Sequence, residues 1–183
     1  ATGQRASAAR VLRRGVEVLH LWPSALQRPS TLVAGLEARP IWDDLGEFPA
    51  VRAVAGGAVL AALLPELVAE LARDRADSLV VAQAEGLVDG ARARWDEIVL
   101  FKHDVDDAAA AARFPRTLAA IRDADGGRGP SFFNAKVSIL HPGSRILPHC
   151  GPSNARLRAH LAVSHGGGAS IRVGDRAPVS RGP

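Results

Sequence analysis

The stretch that most constrains the fold is residues 136–163, with the sequence KVSILHPGSRILPHCGPSNARLRAHLAV. Turn signals at residues 142–143 (Pro-Gly) and 151–152 (Gly-Pro) divide it into three short runs, which we predict to be strands. Successive side chains of a strand point to opposite faces, so Val137 and Ile139 share the face of the first run that would be buried. The other face carries polar groups as well as an apolar one, from Lys136, Ser138 and Leu140.

The third run, residues 156–163, alternates strictly between two kinds of side chain. One face would carry Arg156, Arg158 and His160, and the other Leu157, Ala159, Leu161 and Val163. A sheet that packs its apolar face on a core and turns two guanidinium groups and an imidazole the other way has built a site for an anion. The pattern therefore predicts an anion-binding pocket on a three-stranded sheet.

Composition narrows the class of protein. A chain of 183 residues with 47% apolar content predicts one soluble globular domain. The 23 Lys and Arg outnumber the 19 Asp and Glu, but no dense basic cluster is interleaved with aromatic residues, so nucleic acid is not the predicted partner. The single cysteine, Cys150, requires no oxidising compartment. We expect no membrane segment and no clear signal peptide, and the pattern leaves the compartment and the oligomeric state open.

The order of elements predicts an α+β fold, with helices first and the sheet last. Apolar residues at spacings of three and four predict a helix within residues 48–75, which Pro65 would split or kink. The apolar run that begins at Trp95 predicts a buried strand ending at Lys102 and His103. A second helix is predicted from residue 114 or 115 to residue 121.

Two segments near the N-terminus each allow two interpretations. Residues 1–16 carry four Arg and no acidic residue, which fits either the tail of a transit peptide or, more simply, an exposed basic helix or a tag remnant. Residues 35–42 resemble a lid or strap, whereas the simpler interpretation of Trp42 is an anchor in the core.

Two later segments are also open to a functional and a structural interpretation. His103 with Asp104, Asp106 and Asp107 has the ligand types of a metal site, but an acidic helix start before residues 108–112 explains it with fewer assumptions. The cluster at residues 126–129 (Gly-Gly-Arg-Gly) lacks the Lys-Ser/Thr ending of a phosphate-binding loop, so a flexible turn is favoured.

The stretch resembles the catalytic domain of the aspartyl/asparaginyl β-hydroxylases, which are Fe(II)- and 2-oxoglutarate-dependent oxygenases. Four groups of residues carry the resemblance: Lys136-x-Ser138-Ile139, His141-Pro142-Gly143, Pro148-His149-x-Gly151-Pro152-x-Asn154 and Arg156-Leu157-Arg158-x-His160-Leu161. Weaker similarity extends back over residues 35–42 and 95–102. The resemblance implies N-terminal helices packed on an incomplete double-stranded β-helix, a jelly-roll-like sheet of the cupin type. It places a basic extension at 1–29, the family domain at 30–173 and an irregular tail at 174–183.

The resemblance also implies roles for single residues. His149 matches the first iron ligand and is therefore the expected catalytic residue. Ser138, Leu140, Arg158 and His160 match positions that hold 2-oxoglutarate. Lys102, Lys136 and Arg156 match positions that line the pocket for an acidic peptide or protein substrate. His141 is expected to be structural, and His165 to lie in a hairpin loop.

The sequence departs from the usual iron-binding pattern in two ways. Gly151 occupies the position two residues after the first histidine, where many related oxygenases have a carboxylate; the resembled family allows this absence. The second iron histidine of the family lies on a later strand, and no histidine follows His165. We therefore expect an incomplete copy of the domain, with little or no activity of these residues alone. The alternative is a non-catalytic remnant that binds acidic peptides or dicarboxylates through Arg156, Arg158 and His160.

Overall fold

The computed structural model of the chain describes residues 2–22, 24–37, 39–73, 81–82, 87–90, 93–124, 132 and 134–180. The α-helices within these residues are α1 (Thr2–Arg13), α2 (Pro49–Ala55), α3 (Ala58–Leu71), α4 (Ala108–Arg113) and α5 (Pro115–Asp123). The strands are β1 (Val81–Ala82), β2 (Val88–Asp89), β3 (Trp95–Lys102), β4 (Val105–Asp106), β5 (Asn134–Leu140), β6 (Arg145–Ile146), β7 (Ser170–Ile171) and β8 (Val179–Ser180). A π-helical turn (Arg14–Val18) follows α1, and a 3-10 turn (Leu45–Glu47) precedes α2. All described strand pairs are antiparallel, which confirms the α+β class; the jelly-roll arrangement stays a prediction.

The chain divides into two compact units, which are described separately. The first comprises Ala1–Trp42, Pro148–His160 and Gly167–Pro183, and the second comprises Asp43–Leu147 and Leu161–Gly166. The domain boundaries predicted from the sequence stay predictions. The Gly-rich cluster at residues 126–129 lies outside the described residues, so its phosphate-binding interpretation also stays open.

The second unit is organised around β3. Strand β5 pairs along one edge of β3, while β1 and β4 pair with different parts of its other edge. The predictions of a buried strand at 95–101 and of a strand at 136–140 are therefore confirmed. Along β5, Val137 is buried and Ile139 is half-buried, whereas Lys136, Ser138 and Leu140 are exposed, as the alternation predicts.

A β-bulge lies in β3 between Val99 and Phe101. Val99 pairs with Lys136 and Phe101 pairs with Ala135, so Leu100 is an extra residue opposite no partner on β5. Leu100 and Phe101 are both buried, with 2% and 0% of their surface exposed. A bulge allows two consecutive residues to face the same side, because it shifts the alternation of the strand by one position.

Helices α3 and α5 cover the core face of this sheet. The buried core comprises Val59, Leu63, Leu67, Ile98, Leu100, Phe101, Ala110, Phe114, Leu118, Ile121 and Val137. The helical segment breaks at Gly56 and Gly57, where Gly57 adopts a φ of 100°, and α3 then runs continuously through Pro65. The predicted split at Pro65 is wrong, since the break lies before α3, where Gly57 adopts a left-handed conformation at no steric cost. A kink at Pro65 stays a prediction. Among the described residues, no single helix is long and apolar enough to cross a membrane; α2 and α3 reach that length and composition only together, with a 53° bend between them.

The acidic segment after β3 is structural. The carboxylate of Asp107 accepts a hydrogen bond from the backbone N–H of Ala110 at 2.9 Å and caps α4. The carboxylates of Asp104 and Asp106 both bond to the guanidinium of Arg122, whose pKa they raise. The helix-start interpretation is confirmed for Asp107 only. The metal-site interpretation is wrong for the described residues, because Asp104 and Asp106 pair with Arg122 and Asp107 caps α4.

In the first unit, residues 26–33 are fastened to the motif segment that follows His149. The side chain of Asn154 bonds to both backbone groups of Val33, accepting from its N–H at 2.7 Å and donating to its carbonyl at 2.8 Å. The backbone N–H of Thr31 donates to the carbonyl of Pro152 at 2.9 Å. The side chain of Asn154 therefore pairs with the backbone of Val33 as a neighbouring strand would.

Three further expectations for the first unit can be compared with the structure. Helix α1 is an exposed basic helix, as the simpler interpretation predicts. Trp42 lies outside the buried core and stacks instead under the guanidinium of Arg39, 4.3 Å from the ring centre, so the core-anchor expectation is wrong. The chain after residue 173 is not irregular throughout, because β8 pairs with β7.

The predicted third strand does not form. Residues 155–160 are exposed and residues 156–163 adopt no helix or strand, with Leu157 56% exposed. A strand is defined by hydrogen bonds to a neighbour, and within the described part of the chain no segment pairs with this one. Only Leu161 and Val163, at its end, pack against the core of the second unit.

Candidate functional site

The second face of the β3–β5 pair carries three of the polar residues that the sequence singled out, Lys102, Lys136 and Ser138. We call it the polar face; its residues are Trp95, Glu97, Val99 and Lys102 of β3 and Asn134, Lys136, Ser138 and Leu140 of β5. Residues paired across a sheet share a face, and Lys102 pairs with Asn134, two residues before Lys136. Lys102 reaches this face because the bulge at Leu100 shifts the alternation. The register thus brings together Lys102, Lys136, Ser138 and Leu140 on one surface.

An ion pair lies at the centre of the polar face. The ammonium of Lys136 bonds to the carboxylate of Glu97 across the two strands. Glu97 stands opposite Ser138 in the register, so the pair is diagonal, an arrangement that long side chains can span. The Glu97 side chain is 8% exposed and that of Lys136 is 37% exposed. The Glu97 carboxylate is therefore nearly buried, while the Lys136 side chain keeps surface that a ligand can reach.

Trp95 links the same pair to Ser138. Its indole N–H donates to the hydroxyl of Ser138 at 2.8 Å, and its ring centre lies 5.8 Å from the ammonium of Lys136. A hydroxyl that accepts one hydrogen bond still has its own proton to donate. The Trp95 contact thus orients Ser138 so that its O–H can be offered to a carboxylate.

A second charged cluster fastens the end of β5 to the start of β3. Asp96, on the core face, is 1% exposed, and its Oδ2 atom bonds to the guanidinium of Arg94 at 2.7 Å and to the imidazole of His141 at 2.8 Å. Burial alone would raise the pKa of Asp96, but the hydrogen bonds and positive charges of Arg94 and His141 outweigh it and hold that pKa below its ordinary value. The backbone N–H of His141 also donates to the carbonyl of Arg94 at 3.0 Å. His141 thus has a structural partner, in agreement with the expectation from the sequence.

The other predicted site residues lie in the first unit. His149 is exposed and precedes Cys150, a half-buried thiol whose sulfur accepts from the N–H of Arg28 at 3.4 Å. Arg156, Arg158 and His160 are exposed in the segment that forms no strand. The predicted site residues thus belong to both units, and the roles of these residues stay predictions. His165, expected in a hairpin loop, is half-buried and lies in the second unit.

The residues that the structure describes do not complete a metal site. No group of three or more His, Cys, Asp or Glu side chains among them is placed to hold a metal ion. Iron in such oxygenases is held by two or three protein ligands, and the sequence predicts only one, His149, within this chain. The described residues therefore do not fit a bound iron ion on their own.

Sequence reasoning missed Glu97 and Trp95 as neighbours of the predicted residues. A signal for Glu97 was present, because it is an acidic side chain within a strand predicted to be buried, and a buried carboxylate requires a cation. The signal does not identify Lys136 as that cation, since 39 residues separate the two and only the strand register joins them.

The fold and the polar face define a class: an α+β protein whose antiparallel sheet packs one face on helices and presents ammonium and hydroxyl groups on the other. A family model described as aspartyl/asparaginyl β-hydroxylase matches residues 62–180. The chain belongs to this family.

Curated relatives agree with that assignment. The aspartyl/asparaginyl β-hydroxylases of Mus musculus and Homo sapiens are each 29% identical to the chain over 142 residues, which is 76% of this chain and 18% of each relative. The aspartate β-hydroxylase domain-containing protein 2 of Rattus norvegicus is 39% identical over 59 residues, 32% of this chain and 17% of the relative. The chain thus spans less than a fifth of the length of these relatives.

Proposed function

We propose that this chain supplies part of the site of an Fe(II)- and 2-oxoglutarate-dependent oxygenase that hydroxylates the β-carbon of Asp or Asn in a peptide or protein. One observation carries the proposal: a member of a β-hydroxylase family presents Lys102, Lys136 and Ser138 on a single sheet face. Two ammonium groups and a hydroxyl suit a ligand that bears carboxylates.

The proposed roles follow the chemistry of each side chain. Lys102, Lys136 and Arg156 would bind the acidic groups of the substrate. The cosubstrate 2-oxoglutarate is a dianion, so a guanidinium, an imidazole and a hydroxyl with an apolar neighbour would hold it: Arg158, His160, Ser138 and Leu140. The planar guanidinium of Arg158 can meet a carboxylate with two parallel hydrogen bonds, which an ammonium cannot do.

His149 would be one ligand of the iron, and the described residues provide no group of three that would complete the site. We therefore derive no catalytic step through the metal. The corresponding prediction is that the 183-residue chain, supplied with Fe(II), 2-oxoglutarate and peptide, releases little or no succinate. Substantial succinate release with oxygen incorporated into the peptide would contradict this prediction while supporting the assigned reaction.

Binding of 2-oxoglutarate tests the cosubstrate assignment without turnover. Isothermal titration of the chain should give a measurable affinity that Arg158→Ala lowers by about tenfold or more, the loss expected when a charged hydrogen bond to a carboxylate is removed. The matched control is Arg172→Ala, another exposed arginine, which should leave the affinity unchanged. Equal affinities of the wild type and Arg158→Ala would contradict the role assigned to Arg158.

A second candidate is a non-catalytic module that binds acidic peptides or dicarboxylates. It is favoured by two observations: Arg156, Arg158 and His160 are all exposed, and the described residues lack a metal-binding group. The two candidates differ in their dependence on metal. Affinity for 2-oxoglutarate that is the same with Fe(II) and with EDTA supports the module, whereas affinity that requires Fe(II) supports the oxygenase.

A further inference from the structure

The ion pair of the polar face is asymmetric in its access to solvent. Glu97 is nearly buried, so its carboxylate depends on Lys136 for compensation of its charge. Lys136 keeps more than a third of its side-chain surface exposed. A ligand can therefore approach the Lys136 side chain while its ammonium bonds to the Glu97 carboxylate.

The two charges act on a ligand in opposite directions. A carboxylate that approaches Lys136 is attracted by the ammonium and repelled by Glu97 immediately behind it. A neutral amide in the same position interacts only weakly with the charges of Lys136 and Glu97, but its oxygen can still accept a hydrogen bond from Lys136. Glu97 thus reduces the difference between an acidic and an amide side chain at this position.

We propose that Glu97 is a specificity-determining residue of the polar face, which screens Lys136 so that Asp and Asn side chains are bound with similar affinity. This inference rests on the proposed function, because it takes Lys136 as a contact of the substrate side chain. Trp95 supports the same geometry, since its ring borders the ammonium and its N–H fixes Ser138.

The experiment compares wild type and Glu97→Gln in binding three peptide libraries that differ only in a fixed central residue, Asp, Asn or Ala, with the flanking positions randomised. The immobilised 183-residue chain is incubated with each library, and the retained peptides are quantified by mass spectrometry. Wild type should retain the Asp and Asn libraries to a similar extent, both above the Ala library. Glu97→Gln should raise retention of Asp over Asn by about three- to tenfold, because the isosteric amide no longer screens Lys136.

Two controls make the result specific. Glu17→Gln removes the same charge at an exposed site of the π-helical turn and should leave the Asp-to-Asn ratio at the wild-type value. The double variant Glu97→Gln with Lys136→Met should lose preference for Asp without leaving a buried charge. Circular dichroism of each variant tests whether it is folded, and only folded variants are compared.

The possible results distinguish a failure of the role proposed for Glu97 from a failure of the proposed contact between Lys136 and the substrate. If wild type retains Asp and Asn above Ala but Glu97→Gln leaves their ratio unchanged, or Glu17→Gln shifts it equally, the role of Glu97 is refuted and the proposed substrate contact stands. If wild type retains neither library above Ala, the substrate contact itself is refuted, and the specificity role with it.

Discussion

Nε2 of His141 lies 2.8 Å from Oδ2 of Asp96, which joins the residue after β5 to the second residue of β3. Since the buried carboxylate accepts, Nε2 carries the proton of this hydrogen bond. We expect His141→Ala to lower the free energy of unfolding by about 1–3 kcal/mol, because a buried carboxylate then loses one of its two partners. Urea unfolding of this variant and of His149→Ala, the exposed control, measures the difference; the control should change by less than about 0.5 kcal/mol.

Asp96 should also make stability depend on pH. Its pKa in the folded protein is below its ordinary value, so ionised Asp96 contributes stability above the unfolded-state pKa, near pH 4, and this contribution is lost as the pH falls through the folded-state pKa. Asp96→Asn removes this titration. The free energy of unfolding of the variant should therefore fall less steeply than that of wild type below about pH 4. Parallel curves over this range would show that Asp96 does not contribute.

Glu66 caps helix α5 from a neighbouring helix. Its carboxylate accepts from the N–H groups of Arg116 and Thr117, both at 3.1 Å, and from the Thr117 hydroxyl at 2.6 Å. Phe114, at the N-cap, has no side-chain acceptor, and Thr117 is fully buried. We expect Glu66→Ala to cost about 2–3 kcal/mol of stability in thermal or urea unfolding, because three donors lose their acceptor. Glu17→Ala is the exposed control, and an equal loss in both variants would contradict the capping role.

Asn154 should protect the backbone of Val33 from exchange with solvent. Its amide oxygen accepts the Val33 N–H at 2.7 Å, and its amide nitrogen donates to the Val33 carbonyl at 2.8 Å. Hydrogen exchange of the Val33 amide should therefore become faster in Asn154→Ala. Asn154→Asp retains the acceptor and should stay closer to wild type. Equal exchange rates in all three proteins would mean that other contacts protect this amide.

The parts of the fold that sequence reasoning predicted are those governed by local pattern. Strand β5 has apolar residues at alternate positions, so its core face follows from the pleat alone. Asp107 before an alanine run identifies the start of α4, because its side chain caps the helix to which it is adjacent. Pro115 likewise marks the start of α5, because the fixed φ and the missing N–H of proline suit the first position of a helix.

The predictions that failed concern relationships between distant residues. Residues 156–163 alternate as a strand should, yet a strand requires a partner, and alternation does not supply one. The Ile98–Val99–Leu100–Phe101 run is uniformly apolar, so its sequence contains no trace of the bulge. The contact of Lys136 with Glu97 follows from the register of β3 on β5, which a residue pattern leaves undetermined.

The extra residue in β3 acts as a phase shift between the two halves of the strand. Deleting Leu100 would remove the bulge and return the strand to uninterrupted alternation: Phe101 would follow Val99 directly and stay opposite Ala135 in the core, and Lys102 would stay opposite Asn134 on the polar face. If Leu100 were kept and the bulge lost, Phe101 would instead turn to the polar face and Lys102 to the core. In aligning sequences of this family, a gap of one residue within 95–102 is therefore compatible with an unchanged core and an unchanged polar face, because the bulge is lost with the residue.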